Sequence, residues 1–147
     1  MFLDFLGNGL FRRLSEDFPE LMYDGGLVSL KELEAGVLTE PDIANRHRDL
    51  GRRLLQDAKP VPARTALMKA LQLDSGDSLA RLGLACALES MGMPQTAMDE
   101  LHLCLKHRPD FQPALVALDY CSRRLGDAVD TLESRFELVA MASVAAC

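Results

Sequence analysis

Large apolar residues recur along most of the chain at intervals of three and four, the spacing of one helix face. The stretch "MFLDFLGNGLFRRLSEDF" sets Phe2, Leu3, Phe5, Leu6, Leu10, Phe11, Leu14 and Phe18 on a broad apolar stripe at that spacing. Gly25-Gly26 marks a turn, and "LVSLKELEAG" predicts a short helix with Leu27, Leu30 and Leu33 on one face, stopped by Gly36. From about Asp42 the pattern predicts helices in pairs. The first runs from Asp42 to Asp57, with Thr39 as N-cap and Asp42 completing a capping-box-like pair. Pro60 and Pro62 interrupt the pattern, Ala63 to Leu73 resumes it, and "LDSGD" breaks it. The next pair runs from Asp77 to Met91, stops at Gly92, restarts after Pro94 and ends before Pro109. A third starts at Pro113, stops at Gly126 and restarts with Asp127 as N-cap. Seven to nine helices and no sheet are expected.

The pairs repeat every 34 residues. Between 44–77 and 78–111 the coincidences are Leu50 with Leu84, Leu54 with Leu88, Pro60 with Pro94, Ala63 with Ala97, Leu67 with Leu101 and Leu71 with Leu105. Each falls at a helix-core spacing or in the turn between helices.

A 34-residue helix–turn–helix unit with this placement resembles the tetratricopeptide repeat. The family's first small position carries Gly51, Ala85 and Asp119, and its second carries Ala63, Ala97 and Thr131. The large apolar positions carry Leu50, Leu84 and Leu118, then Leu54, Leu88 and Ser122, then Leu67, Leu101 and Arg135. The third unit departs from the pattern, as terminal repeats do when one face meets water. The resemblance implies an all-α, right-handed solenoid of three repeats (44–77, 78–111 and 112–145), the last degenerate and acting as a C-terminal cap. Residues 1–41 form a helical segment ahead of it. More locally, "DGGLVSLKELEAGVLTEPDI" and "LGLACALESMG" are similar to stretches of the class II chaperones of bacterial type III secretion. The string "ALVALDYCSRRLGDAVDTLESRF" looks like the final helix pair of the related needle-subunit chaperones.

Composition narrows the class. The chain is rich in Leu, Ala and Arg, holds 5% aromatics and has no Trp, which favours helices over strands. Its 147 residues are enough for one domain with a real core. A net charge of −6 argues against a nucleic-acid partner, whose phosphates demand a basic face. Residues 1–41 carry 8 acids and 3 bases and so most of that excess. No apolar run approaches the ~20 residues of a membrane span, so no integral membrane insertion is expected. Asp4 stands where a signal peptide needs basic residues, so a cytoplasmic, reducing location is expected, with Cys86, Cys104, Cys121 and Cys147 as free thiols.

Chemistry-bearing motifs are absent from the sequence. There is no phosphate-binding glycine loop, no nucleophile elbow and no paired-histidine zinc motif. His102, Cys104 and His107 cluster in sequence, yet residues two apart on a helix point to different sides, which is poor for a tetrahedral metal. Neither enzyme activity nor a cofactor or metal is expected.

The resemblance implies a concave groove lined by the first helix of each repeat. Carried over residue by residue, it offers Asn45, Arg48, Arg52, Leu55 and Gln56, then Leu79, Leu82, Cys86, Glu89 and Ser90, then Pro113, Val116, Tyr120, Arg123 and Arg124. An apolar floor flanked by arginines suits a protein or peptide segment with apolar anchors and some carboxylates. The leading expectation is therefore a non-catalytic chaperone or adaptor, in the resembling family one for secretion substrates. The alternative is a scaffold whose groove receives a segment of a neighbouring copy. Phe2, Leu3, Phe5, Leu6, Leu10, Phe11 and Leu14 would serve such self-association, as in a homodimer. Packing of this stripe on the solenoid, docking on a partner and lying on a membrane surface remain open beside it.

Overall fold

A computed structural model describes residues 9–21 and 28–126. All regular structure among them is helical: α1 (Gly9–Asp17), α2 (Leu30–Thr39), α3 (Ala44–Gln56), α4 (Pro60–Leu73), α5 (Ser78–Ser90), α6 (Pro94–His107) and α7 (112–126), with one 3-10 turn at Pro19–Leu21. The second helix of the third pair, from Asp127, and its part as a cap lie outside the described residues. So do Phe2, Leu3, Phe5, Leu6 and Gly25-Gly26. No described helix is long and apolar enough to cross a membrane.

The 34-residue period reappears in the geometry. Helices α3 and α5 begin at Ala44 and Ser78, α4 and α6 at Pro60 and Pro94, each pair 34 residues apart. Helices α2 to α6 pack each on the next along the chain, and α3 also meets α5. The recurring positions Leu50, Leu54, Ala63, Leu67 and their counterparts Leu84, Leu88, Ala97, Leu101 are all buried. Helix α5 is the centre of the stack and is buried nearly all round, including Leu82 through Glu89.

Glycine sets how closely these helices approach. A Cβ at Gly51 of α3 would lie 2.4 Å from Leu67 Cγ, and one at Gly83 of α5 would lie 3.2 Å from both Leu67 methyls. Leu67 of α4 thus projects into two notches at once and is fully buried. The turns repeat too. Lys59 N–H donates to Leu54 O at 2.8 Å, and Met93 N–H to Leu88 O at 2.9 Å, the long closing bond of a left-handed helix terminus. The left-handed residue is Ala58 (φ 55°) in one and Gly92 (φ 78°) in the other.

Three helix boundaries depart from the sequence expectation. Helix α4 begins at Pro60 and contains Pro62, because first-turn N–H groups have no intrahelical partner and proline loses nothing there. Helix α2 runs through Gly36 to Thr39. Gly36 does not stop the helix; it lies inside α2, where a Cβ would come within 2.9 Å of the movable tip of Arg46. Thr39 is therefore helical, its hydroxyl donating to Gly36 O at 3.1 Å, and the N-cap of α3 is Ile43 without a side-chain bond. A capping box does form at Ser29 and Glu32, where the sequence reading placed none. The Ser29 N–H and hydroxyl donate to Glu32 at 2.7 and 2.9 Å and hold its carboxyl below the usual value.

Two substitutions test this packing. Gly51→Ala should lower stability by about 1–3 kcal/mol through overpacking against Leu67, although alanine is the better helix former. A thermal midpoint equal to or above wild type would refute the interlock. Ala58→Gly should raise stability by about 0.5–1 kcal/mol, since only a residue with a Cβ is strained in that left-handed turn. Denaturant unfolding reads both.

Candidate functional site

Helix α3 reads "ANRHRDLGRRLLQ", and its polar face is mostly arginine. Each arginine is committed within the chain. Arg46 pairs with Glu40. Arg48 Nη1 meets Asp77 Oδ2 at 3.0 Å. The other Asp77 oxygen accepts from Ala80 N–H at 3.0 Å and so caps α5. Arg52 donates through Nε (3.2 Å) and Nη2 to the Leu21 carbonyl, which ends the 3-10 turn. Arg53 pairs with Asp57 at 3.3 Å and reaches Val28 O. Arg48 and Arg52, expected to wait for a partner's carboxylates, thus hold this chain's own segments together.

The apolar floor is likewise occupied. Leu55, Leu82 and Cys86 are buried, and Leu79 is half-buried. With Arg52 and Gly83 they line a void of about 30 Å³ whose opposite wall is Phe11, Leu14, Ser15 and Leu21. Helix α1 packs on α5 and buries Leu10 and Leu14 to 0% and 2% exposure. At Leu79 and Leu82 the expected floor is covered by the chain's own first helix. Leu10 and Leu14, expected to serve self-association, are buried within the single chain, and Phe11 is half-buried beside them.

The remaining expected positions separate into different surroundings. Glu89 is buried and pairs with Arg124 of α7, which also takes a hydrogen bond with Tyr120. Val116 and Tyr120 pack partly against the core. Pro113 is buried, and Gln56 and Ser90 are half-buried. Asn45 is exposed, and Arg123 points to solvent and pairs with Asp119 at 3.0 Å, one turn back on its own helix. The structure thus joins Arg52, Leu55, Leu79, Leu82 and Cys86 in one seat, and Glu89, Tyr120 and Arg124 in a second cluster. Sequence reasoning missed Gly83, Ser15 and Leu21 in the first. Gly83 lay one residue from a groove position, and a glycine inside a helix was the available signal.

Burial holds the three described thiols in the protonated form. Burial pushes the Cys121 thiol up to about 12, with Glu89 adding to the effect. Cys86 is raised for the same first reason, then by Cys121 and Glu89. Cys104 is raised by burial while its S–H lies 3.6 Å from the Ser78 carbonyl. His47 is a core residue whose ring Nε2 donates to Pro41 O at 2.7 Å. His102 and His107 are exposed while Cys104 is buried, so the three do not converge. Among the described residues no group of three His, Cys, Asp or Glu side chains converges as a metal site.

No protein-family model matches the chain, and no curated protein matches it.

The raised thiols give a pH dependence with a definite sign. In the unfolded chain they ionise near pH 8.5, while in the fold they stay protonated. Their contribution to stability is complete below that pH and declines as pH rises through it toward the folded values. Cys86, Cys104 and Cys121 should therefore resist a thiol reagent at pH 8 until the chain is unfolded in urea. Rapid labelling of any of the three in the native protein, mapped by peptide mass, would contradict this.

Proposed function

We propose that the chain is a non-catalytic peptide-binding module of tetratricopeptide type, a right-handed solenoid whose α3/α5 face holds a segment of a partner protein. One observation carries this reading: that face already receives an amphipathic helix, with Leu10 and Leu14 buried and Phe11 and Leu14 facing Leu55, Leu82 and Cys86. The 34-residue spacing of helix starts, the buried small residues at the helix contacts and the sequential packing of α2 to α6 support the repeat assignment. The similarity of residues 24–43 and 82–92 to type III secretion chaperones favours a cytoplasmic chaperone whose partner is a secretion substrate.

The test begins with retrieval of the partner from the native host and its identification by mass spectrometry. The partner is then titrated against wild type, Leu79→Glu and Leu103→Glu, with circular dichroism to verify folding. Leu79 is the right floor position because it is only half-buried, whereas a charge at fully enclosed Leu82 would disturb the fold itself. Leu103, exposed on α6, is the control. Leu79→Glu should weaken binding about tenfold or more, because central apolar contacts dominate such interfaces. Equal affinity of all three chains would place the partner elsewhere.

A further inference from the structure

We propose that α1 is a resident competitor: it holds the α3/α5 face in cis until a partner's amphipathic helix, with leucines one turn apart and an adjoining aromatic, displaces it. This rests on the reading of the face as a peptide site and adds how that site is regulated and what it selects.

Four observations carry it. The first is that α1 packs out of order. Helices α2 to α6 bury their faces on neighbours along the chain, whereas α1 reaches across to α5. In a stack held by nearest-neighbour interfaces, an element outside that sequence can leave without breaking them. The second is that what α1 makes within itself lies on its exposed face. Arg12 pairs with Glu16 and Arg13 with Asp17, while Leu10 and Leu14 are turned to the stack. Exposed pairs of this kind contribute little, so the hold on α1 comes chiefly from the face it sits on.

The third concerns fit. The seat keeps a void of about 30 Å³ between Phe11, Leu14 and Leu21 on one side and Leu55, Leu79, Leu82 and Cys86 on the other. The walls of such a gap forgo contacts, so a helix that places one larger side chain there holds the face more tightly than α1 does. The fourth is the fastening. Arg52 grips a backbone carbonyl, that of Leu21, at the end of the turn after α1. A backbone carbonyl at a helix terminus is available in any incoming helix, so this grip transfers from the resident to the partner without a sequence requirement. The partner's specificity then resides in the apolar spacing that Leu10, Phe11 and Leu14 display. A tethered competitor acts at an effective concentration on the order of millimolar, so it excludes weak ligands and yields only to well-fitting ones.

The experiment uses the full chain and a fluorescent peptide of residues 9–21 as the probe. Anisotropy titrations compare wild type with Phe11→Ala, which loosens the resident helix at a half-buried position. Phe11→Ala should bind the peptide about fivefold or more tightly than wild type, because the seat is vacant more often. In wild type, hydrogen exchange of the amides of residues 13–17 should be about a hundredfold faster than in α5, through local release of α1. Equal peptide affinity for the two chains overturns the gate and leaves the face itself to the Leu79→Glu titration. Protection of residues 13–17 equal to α5 also overturns it, because α1 is then an integral layer. Absence of peptide binding to a Phe11→Ala chain whose α1 exchanges freely overturns both the gate and the peptide site. A wild-type dimer in sedimentation that Phe11→Ala dissociates puts a second copy's α1 on the face and overturns the arrangement in cis.

Discussion

The stack turns on one side chain. Leu67 of α4 enters the notches left by Gly51 on α3 and Gly83 on α5, so three helices meet at a single fully buried leucine. Burying a leucine stabilises by about 1.5–3 kcal/mol, but the larger consequence is geometric. Gly51 lets the backbone of α3 approach α4 to a distance that a Cβ would forbid, and Gly83 gives α5 an approach that a Cβ would make tight. The interior is close-packed, so the positions of the flanking helices follow from this contact. The α3/α5 face, and with it the seat for α1, exists at that spacing because of it.

The second organising feature is the arginine set of α3. Arg48 ties α3 to the capping aspartate of α5, while Arg52 and Arg53 hold the Leu21 and Val28 carbonyls on the segments that precede it. Helix α3 therefore joins the N-terminal elements to the repeat stack through side chains as well as through packing. Guanidinium suits this work because its fork of donors can serve a carbonyl and a carboxylate at once, as Arg53 does with Val28 O and Asp57. Arg124 likewise ties α7 to Glu89 of α5. These arginines are structural tethers first, which limits how far they can act as ligands for an external acid.

A face that binds a helix and a helix that already sits there are two descriptions of one apolar surface. Leu55, Leu82 and Cys86 need cover, and Leu10 and Leu14 need burial. A tethered segment meets both needs at little entropic cost, because loop closure over a short connection is cheap. Whether a surface of this kind is a core or a binding site depends on the free energy of releasing its cover, which is why α1 carries the functional question here.

Much of the stack was legible in the sequence because its signals are local. Pro60 and Pro94 at the breaks between paired helices, Gly92 past the end of α5, Asp77 at its start and the 34-residue recurrence of Leu and Ala each act within one or two helical turns. Together they identify the helices and the buried positions of α3 to α6. Tertiary structure decided the rest. Gly36 reads as a helix stop by itself and instead lies inside α2, packed beside Arg46 of another helix. Four arginines read as a binding surface, and three of them, Arg48, Arg52 and Arg124, turn inward to Asp77, the Leu21 carbonyl and Glu89. Above all, the stripe of Leu10, Phe11 and Leu14 shows from its spacing that it seeks an apolar face, but not which one. Its match to Leu82 and Cys86 lies some 70 residues away and leaves no local mark, because hydrophobic attraction has no direction and accepts any surface of suitable shape. Sequence determined that such a helix exists; only the folded arrangement of α3 and α5 determined where it rests.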